Sequence, residues 1–87
     1  MAGHEKEAYL ALIAARDPEI RALLDHGFEF VTNAFKVGAA PPGIKARTDR
    51  EHMRRLRQEG YQVAVSTAYD EQGRPHPSLN AIWRKKP

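Results

Sequence analysis

The 87-residue sequence contains no cysteine. That excludes a disulfide framework, a thiolate metal site and a thiol nucleophile, and it fits a reducing compartment such as the cytoplasm. Long apolar runs are missing as well: none approaches the roughly 18–20 residues that a transmembrane helix requires. The start, Met1 to Glu7, is polar and acidic and lacks the basic-then-apolar layout of a secretory signal. The expectation is a soluble cytoplasmic protein without a membrane partner. Aromatic residues are few, with one tryptophan, three tyrosines and three phenylalanines, so each large ring weighs heavily in the core. A glycine-rich phosphate cradle is also lacking, because Gly38 and Gly43 flank prolines and do not follow the P-loop pattern.

The length suits one domain over residues 1–87, with flexible ends at about 1–4 and 85–87 and a loop over 38–46. A domain this small buries only about 60–65% of the surface its unfolded chain exposes. Its core is modest, and an enclosed substrate cavity would take much of it away. A homodimer would bury more.

Charge is unevenly placed. The net charge is +3, but residues 1–44 carry four Lys/Arg against six Asp/Glu, and residues 45–87 carry ten against five, so the halves stand at −2 and +5. A basic C-terminal half favours an acidic or polyanionic partner. Mixed surface charge of this kind also serves solubility alone.

The apolar pattern predicts an α+β fold in the order α-α-β-α-β-β, with helices covering one face of a three-stranded sheet. From His4 to about Arg16, Ala8, Tyr9, Leu12 and Ile13 recur at helical spacing, while Leu10 and Ala11 widen that face, implying contact on two sides or one exposed leucine. Asp17-Pro18 reads as an N-cap followed by a proline in the first helical position, so a second helix runs from Pro18 to His26 with Gly27 closing it. A single helix kinked at Pro18 is the alternative. The segment Phe28–Val37 fits a strand at about 28–32 or longer by its β-branched and aromatic content, although Phe28, Val31 and Phe35 also match helical spacing. Residues 38–46 form a proline-glycine loop in which Ile44 is either an anchor to the core or a contact residue.

The clearest local signals lie between Thr48 and Trp83. Thr48-Asp-Arg-Glu51 is a capping box, and Glu59-Gly60 ends the helix it opens, so a helix is expected over about 49–58. Tyr61, Val63, Val65, Thr67 and Tyr69 then alternate with smaller residues, a turn follows at Asp70–Pro75, and Leu79, Ala81 and Trp83 alternate in a second strand of a hairpin. Pro75 and Pro77 cannot donate to a ladder, which suggests that this last strand lies at an edge or begins after them. Trp83 is expected to pack across from Val63 or Val65. If the first strand paired with the second through the basic helix, the two would be parallel with a right-handed crossover.

Nothing in the sequence spells out catalysis. His4, His26, His52 and His76 lack the i, i+4 pairing or nearby cysteine of a metal site. Ser66, Thr67 and Ser78 have no adjacent histidine, and Asp70 and Glu71 sit in a turn where solvent keeps carboxylates ordinary. No catalytic residue, metal or cofactor is assigned, and the expectation is that the chain is not an enzyme.

What remains for function is a basic surface. Arg50, Arg54 and Arg57, at i, i+4 and i+7, form one stripe beside the buried face marked by Met53 and Leu56, with His52 flanking. Arg55 points away, placed to pair with Glu51. Lys45 and Arg47 before the helix, and the tail Arg84, Lys85 and Lys86, would enlarge the stripe if the hairpin returned the C-terminus to the helix start. Such a stripe suits acidic side chains or phosphates; equally, guanidinium stems can simply lie over apolar neighbours. No helix-turn-helix is legible, and Tyr61 and Tyr69 on one strand, which could stack bases, equally suit core or edge packing. The favoured partner is therefore the acidic surface of another protein, with nucleic acid as the alternative. In size, lack of cysteine and charge, the chain resembles the small proteins of mobile elements, including phage-encoded inhibitors of bacterial defence. No motif carries that likeness, and it implies no family.

Overall fold

The helices end where the sequence punctuates them. In the computed structural model, which describes residues 3–87 and side chains from Glu7 onward, α1 spans Gly3–Ala14 and α2 spans Pro18–Asp25. Asp17 between them is extended, and its Oδ1 accepts from the backbone N–H of Glu19 at 2.9 Å and of Ile20 at 3.3 Å. A side chain that satisfies the first free N–H groups of α2 makes a true helix start, so this is a break and not a kink. The face of α1 turned to the core carries Tyr9, Leu10, Ile13 and Ala14, leaving Leu12 66% exposed. The helix α3 spans Asp49–Gln58, and the Thr48 hydroxyl caps it by accepting from the Glu51 N–H at 3.3 Å. Gly27 and Gly60 follow α2 and α3 with φ of +85° and +95°, a backbone conformation that glycine adopts without Cβ strain. Of the flexible start expected at about 1–4, Met1 and Ala2 lie outside the described residues, as does the side chain of His4, while the backbone of Gly3 and His4 opens α1.

The strands are β1 (Glu29–Phe35), β2 (Gln62–Tyr69) and β3 (Pro75–Lys85), in the sheet order β1-β3-β2 with both pairings antiparallel. One possibility is closed by this order and one expectation is corrected. The first and second strands are not neighbours, because β3 lies between them, so the parallel crossover does not arise. And β3, expected at an edge or only after its prolines, is central and begins at Pro75 itself. The prolines are accommodated by a slip in register: Thr67 pairs with Asn80 but Tyr69 with Pro75, so His76–Leu79 lie opposite Ala68 alone and Pro77 stands outside the regular ladder. The basic segment Arg84-Lys85 belongs to β3 and is not a tail.

Helices cover both faces of the sheet, where the sequence suggested one. The reason is visible in β3: Ala81, Ile82 and Trp83 are consecutive and 4%, 0% and 1% exposed. Neighbouring strand residues point to opposite faces, so a run of buried ones needs cover on both sides. On one face Ile13, Ala14 and Ile20 of α1–α2 pack with Ala68, Ala81 and Trp83. On the other, Leu56 of α3 packs with Ala34 and Ile82, and Met53, Val31, Tyr61 and Val63 close around them.

This arrangement inverts the reading of β2. Its small residues Ala64, Ser66 and Ala68 lie on the side of Trp83, and the bulkier Val65 is 39% exposed. Trp83 sits across from Ala64, not from Val63 or Val65, because its indole fills the space that small neighbours leave. Its Nε1–H donates to Ser66 Oγ at 2.9 Å, and the Phe30 ring meets it edge-on with centroids 5.7 Å apart. A bulge at Val31 sets this contact: Phe30 pairs with Trp83 but Thr32 with Ile82, so Phe30 and Thr32 face opposite sides despite their spacing. Among the described residues no helix is long and apolar enough to cross a membrane.

The buried indole N–H has Ser66 Oγ as its acceptor, so Ser66→Ala strands a donor in the core. Unfolding free energy should fall by about 1–3 kcal/mol, read by denaturant titration of the single tryptophan's fluorescence.

Candidate partner-binding surface

Asp49 fixes the position of α3. The residue is 9% exposed; its Oδ1 accepts from the Arg50 N–H at 2.6 Å, and its Oδ2 accepts from Asn80 Nδ2 at 2.8 Å. One acidic side chain thus serves the helix start and clamps it to the central strand. A single parallel bridge between Phe35 and Thr48 secures the same end to β1. At the other end the Tyr61 N–H donates to the Leu56 carbonyl, and the chain turns into β2. The helix therefore lies along the sheet, its start near Asn80 and its end near Arg84.

With Leu56 buried and Met53 half-buried against the sheet, Arg50, Arg54 and Arg57 are exposed along one side of α3, as the spacing predicts. Their guanidinium groups make no hydrogen bond or ion pair to any described residue; among the described residues the ion pairs are Arg21–Asp25, Arg74–Asp70 and Arg84–Glu29. The expected pair between Glu51 and Arg55 does not form. Arg50 and Arg54 border an open groove of 290 Å³ whose other walls are Val37, Thr48 and Glu51, with Val37 58% exposed. Lys45 and Arg47 lie exposed on the loop leading into this end of the helix. Ile44 beside them is exposed too, so it does not anchor the loop to the core.

The remaining basic residues stand elsewhere. Antiparallel pairing sets Arg84 beside Glu29, at the end of the sheet farthest from Thr48. The Arg84 Nε donates to Glu29 Oε1 at 2.6 Å, and its guanidinium lies 4.7 Å from the centre of the Tyr61 ring. The hydrogen bond to Glu29 raises the Arg84 pKa further above its already high ordinary value. Lys85 Nζ stands 5.9 Å from the Phe28 ring, and Arg84, Lys85 and Lys86 share a shallow cleft with Gly27 and Glu29. The hairpin returns the C-terminus to the end of α3 and not to its start. Arg84, Lys85 and Lys86 therefore do not extend the surface of Lys45, Arg47, Arg50 and Arg54.

Other candidates are occupied by structural work. Tyr69 donates to Asp17 Oδ2 at 2.6 Å, which raises the pKa of its phenol, and Tyr9 donates to the Asp70 carbonyl. The Tyr61 ring lies under Arg84, just before β2 begins. Asp70 is not the ordinary carboxylate its turn suggested: hydrogen bonds from the Arg74 and Gln72 backbone N–H groups and from the Arg74 side chain hold its pKa below the usual range. Ser66 Oγ is committed to Trp83 and to the Thr67 carbonyl. His76 Nδ1 accepts from the Ser78 N–H at 3.2 Å. Among the described residues no three His, Cys, Asp or Glu side chains are grouped to hold a metal ion. An apolar cavity of 170 Å³ opens between α1–α2 and the sheet beside Trp83, and both tyrosine hydroxyls on its wall are tied as above. Sequence reasoning missed the clamp from Asp49 to Asn80; the only signal for it was a second acid inside the capping box.

Comparison of the chain with protein-family models, with curated proteins and with solved structures returned no match.

His52 senses the charges of Arg47 and Arg55. Burial lowers its pKa first, and the positive charges of Arg47 and Arg55 lower it further, against a smaller opposing effect of Glu51. Its NMR titration should fall below the ordinary value of about 6.5 and move upward in Arg47→Ser. Because the folded state disfavours the imidazolium, the stabilisation is complete above about pH 6.5 and is lost as pH falls through the depressed folded value. His52→Gln should remove that component of acid sensitivity.

Proposed function

We propose that the chain is a small non-enzymatic accessory or inhibitory protein, of the kind encoded by phages and mobile elements, that acts in the cytoplasm by binding an acidic surface of another protein. The contact is the outer side of α3, through Arg50, Arg54 and Arg57, with Lys45 and Arg47 at its entrance. The observation that carries this reading is the groove at the start of α3. Two arginines whose guanidinium groups have no partner among the described residues line it together with an exposed valine and Glu51. A site that mixes apolar surface, arginine and one carboxylate suits a protein surface bearing acidic and apolar side chains. Arginine is also a residue type that concentrates binding energy at such contacts.

A nucleic-acid-binding module is the second reading, favoured by the +5 charge of residues 45–87. It is weakened by the separation of the basic residues. Arg84 is neutralised by Glu29 at the far end of the sheet, and Glu51 would face a phosphate backbone from within the groove.

The two readings part under one comparison. Wild type and the Arg50→Glu, Arg54→Glu, Arg57→Glu triple variant are used as bait in nuclease-treated native lysate. Wild type should hold a stoichiometric protein partner, and the triple variant should lose affinity for it on the order of a hundredfold or more while its circular dichroism stays unchanged. Retained binding by the variant would remove α3 as the contact. Recovery of nucleic acid with a steep salt dependence, and of no protein, would establish the second reading.

A further inference from the structure

The two edges of the sheet are defended unequally. β1 carries the charge of Glu29 at its start, a bulge at Val31, and the bridge from Thr48 across Phe35. Charge, irregularity and cover are the devices by which sheet edges avoid pairing with other chains. β2 has no comparable protection. Its eight residues, Gln62–Tyr69, include no charged residue, no proline and no glycine, in a chain of which 29% is charged. Its irregularity falls only at the last pair, leaving Gln62–Thr67 in one unbroken register with β3. Among the described residues its strand pairing is with β3 alone. Val65, in mid-strand on the α3 side, is 39% exposed, because the core under α3 takes in Val63 and stops there.

We propose that β2 pairs antiparallel with the β2 of a second copy of the chain, joining the two sheets into one of six strands. The strand is complementary to itself. A two-fold axis through Val65 sets it against the partner's Val65, Val63 against the partner's Thr67, and Ala64 against the partner's Ser66. β-Branched residues then meet β-branched residues on one face and small residues meet small ones on the other, with no like charges opposed. A strand without charge offers nothing that would select a charged foreign strand over its own copy. The edge alone covers less than a standard protein interface, so the dimer forms and dissociates reversibly in the micromolar range.

The geometry has a consequence for the α3 surface. A two-fold relating antiparallel edge strands stands perpendicular to the sheet, so both α3 helices lie on the same face. The dimer presents two arginine shoulders side by side, and a partner with two acidic segments engages both with a gain from effective concentration. That consequence rests on the reading of α3 proposed above; the pairing itself does not.

The test uses the purified chain alone, so its failure leaves the α3 reading untouched. Sedimentation velocity from low to high micromolar concentration should show a monomer–dimer equilibrium. Val65→Lys should weaken it by at least about tenfold, and Asn33→Lys on the β1 edge should leave it unchanged. Because the chain has no cysteine, Val65→Cys gives a second measurement should Val65→Lys fail to fold. Opposed strand positions lie at disulfide distance, so mild oxidation should cross-link Val65→Cys into a dimer far faster than Asn33→Cys. A wild type that stays monomeric throughout, a folded Val65→Lys that dimerises like wild type, loss of dimer in Asn33→Lys, or cross-linking of Val65→Cys no faster than of Asn33→Cys overturns the proposal.

Discussion

The structure depends on one strand serving two cores at once. β3 pairs on both sides, and Ala81, Ile82 and Trp83 bury their side chains alternately toward α1–α2 and toward α3. A domain of this size cannot afford two independent cores. It has two thin ones that share a backbone, so each is completed only when β3 is in place. Burying Ile82 fully contributes about 1.5–3 kcal/mol, and the same strand position orders the ladder on either side of it.

The free surfaces follow from that constraint. Once Leu56 and Met53 face Ile82, the far side of α3 is committed to solvent, and its arginines go with it. Asp49 then sets where along β3 the helix begins, by way of Asn80. The same antiparallel order carries Arg84 and Lys85 to the other end of the sheet, next to Glu29 and Phe28. Basic residues close in sequence are thereby split into a surface without internal partners and a set held in local pairs.

Local chemistry was legible in the sequence, and the layering was not. Thr48, Gly60, Asp17 and Gly27 each act through hydrogen bonds or backbone angles within a few residues, so the bounds of α2 and α3 could be read directly. The stripe Arg50–Arg54–Arg57 was legible for the same reason, since helical spacing alone places it. The number of faces covered is a long-range property. It was signalled by the consecutive run Ala81-Ile82-Trp83, which an alternating reading of Leu79, Ala81 and Trp83 passed over. The burial of the small face of β2 depends on the volume of Trp83, seventeen residues away along the chain from its acceptor Ser66. Nor does alternation foresee the bulge at Val31 that turns Phe30 toward the indole. The fate of the basic C-terminus depended on strand order, which pairing patterns in isolation leave undetermined.

Native-state amide hydrogen exchange tests most directly whether β3 binds the two layers into one cooperative unit. The amides of Ala81, Ile82 and Trp83 should be among the slowest, and protected amides in α2 and in α3 should open with the same free energy as those of β3. Two distinct levels of protection, with α3 and its side of the sheet opening while α1–α2 stays closed, would contradict a single cooperative unit.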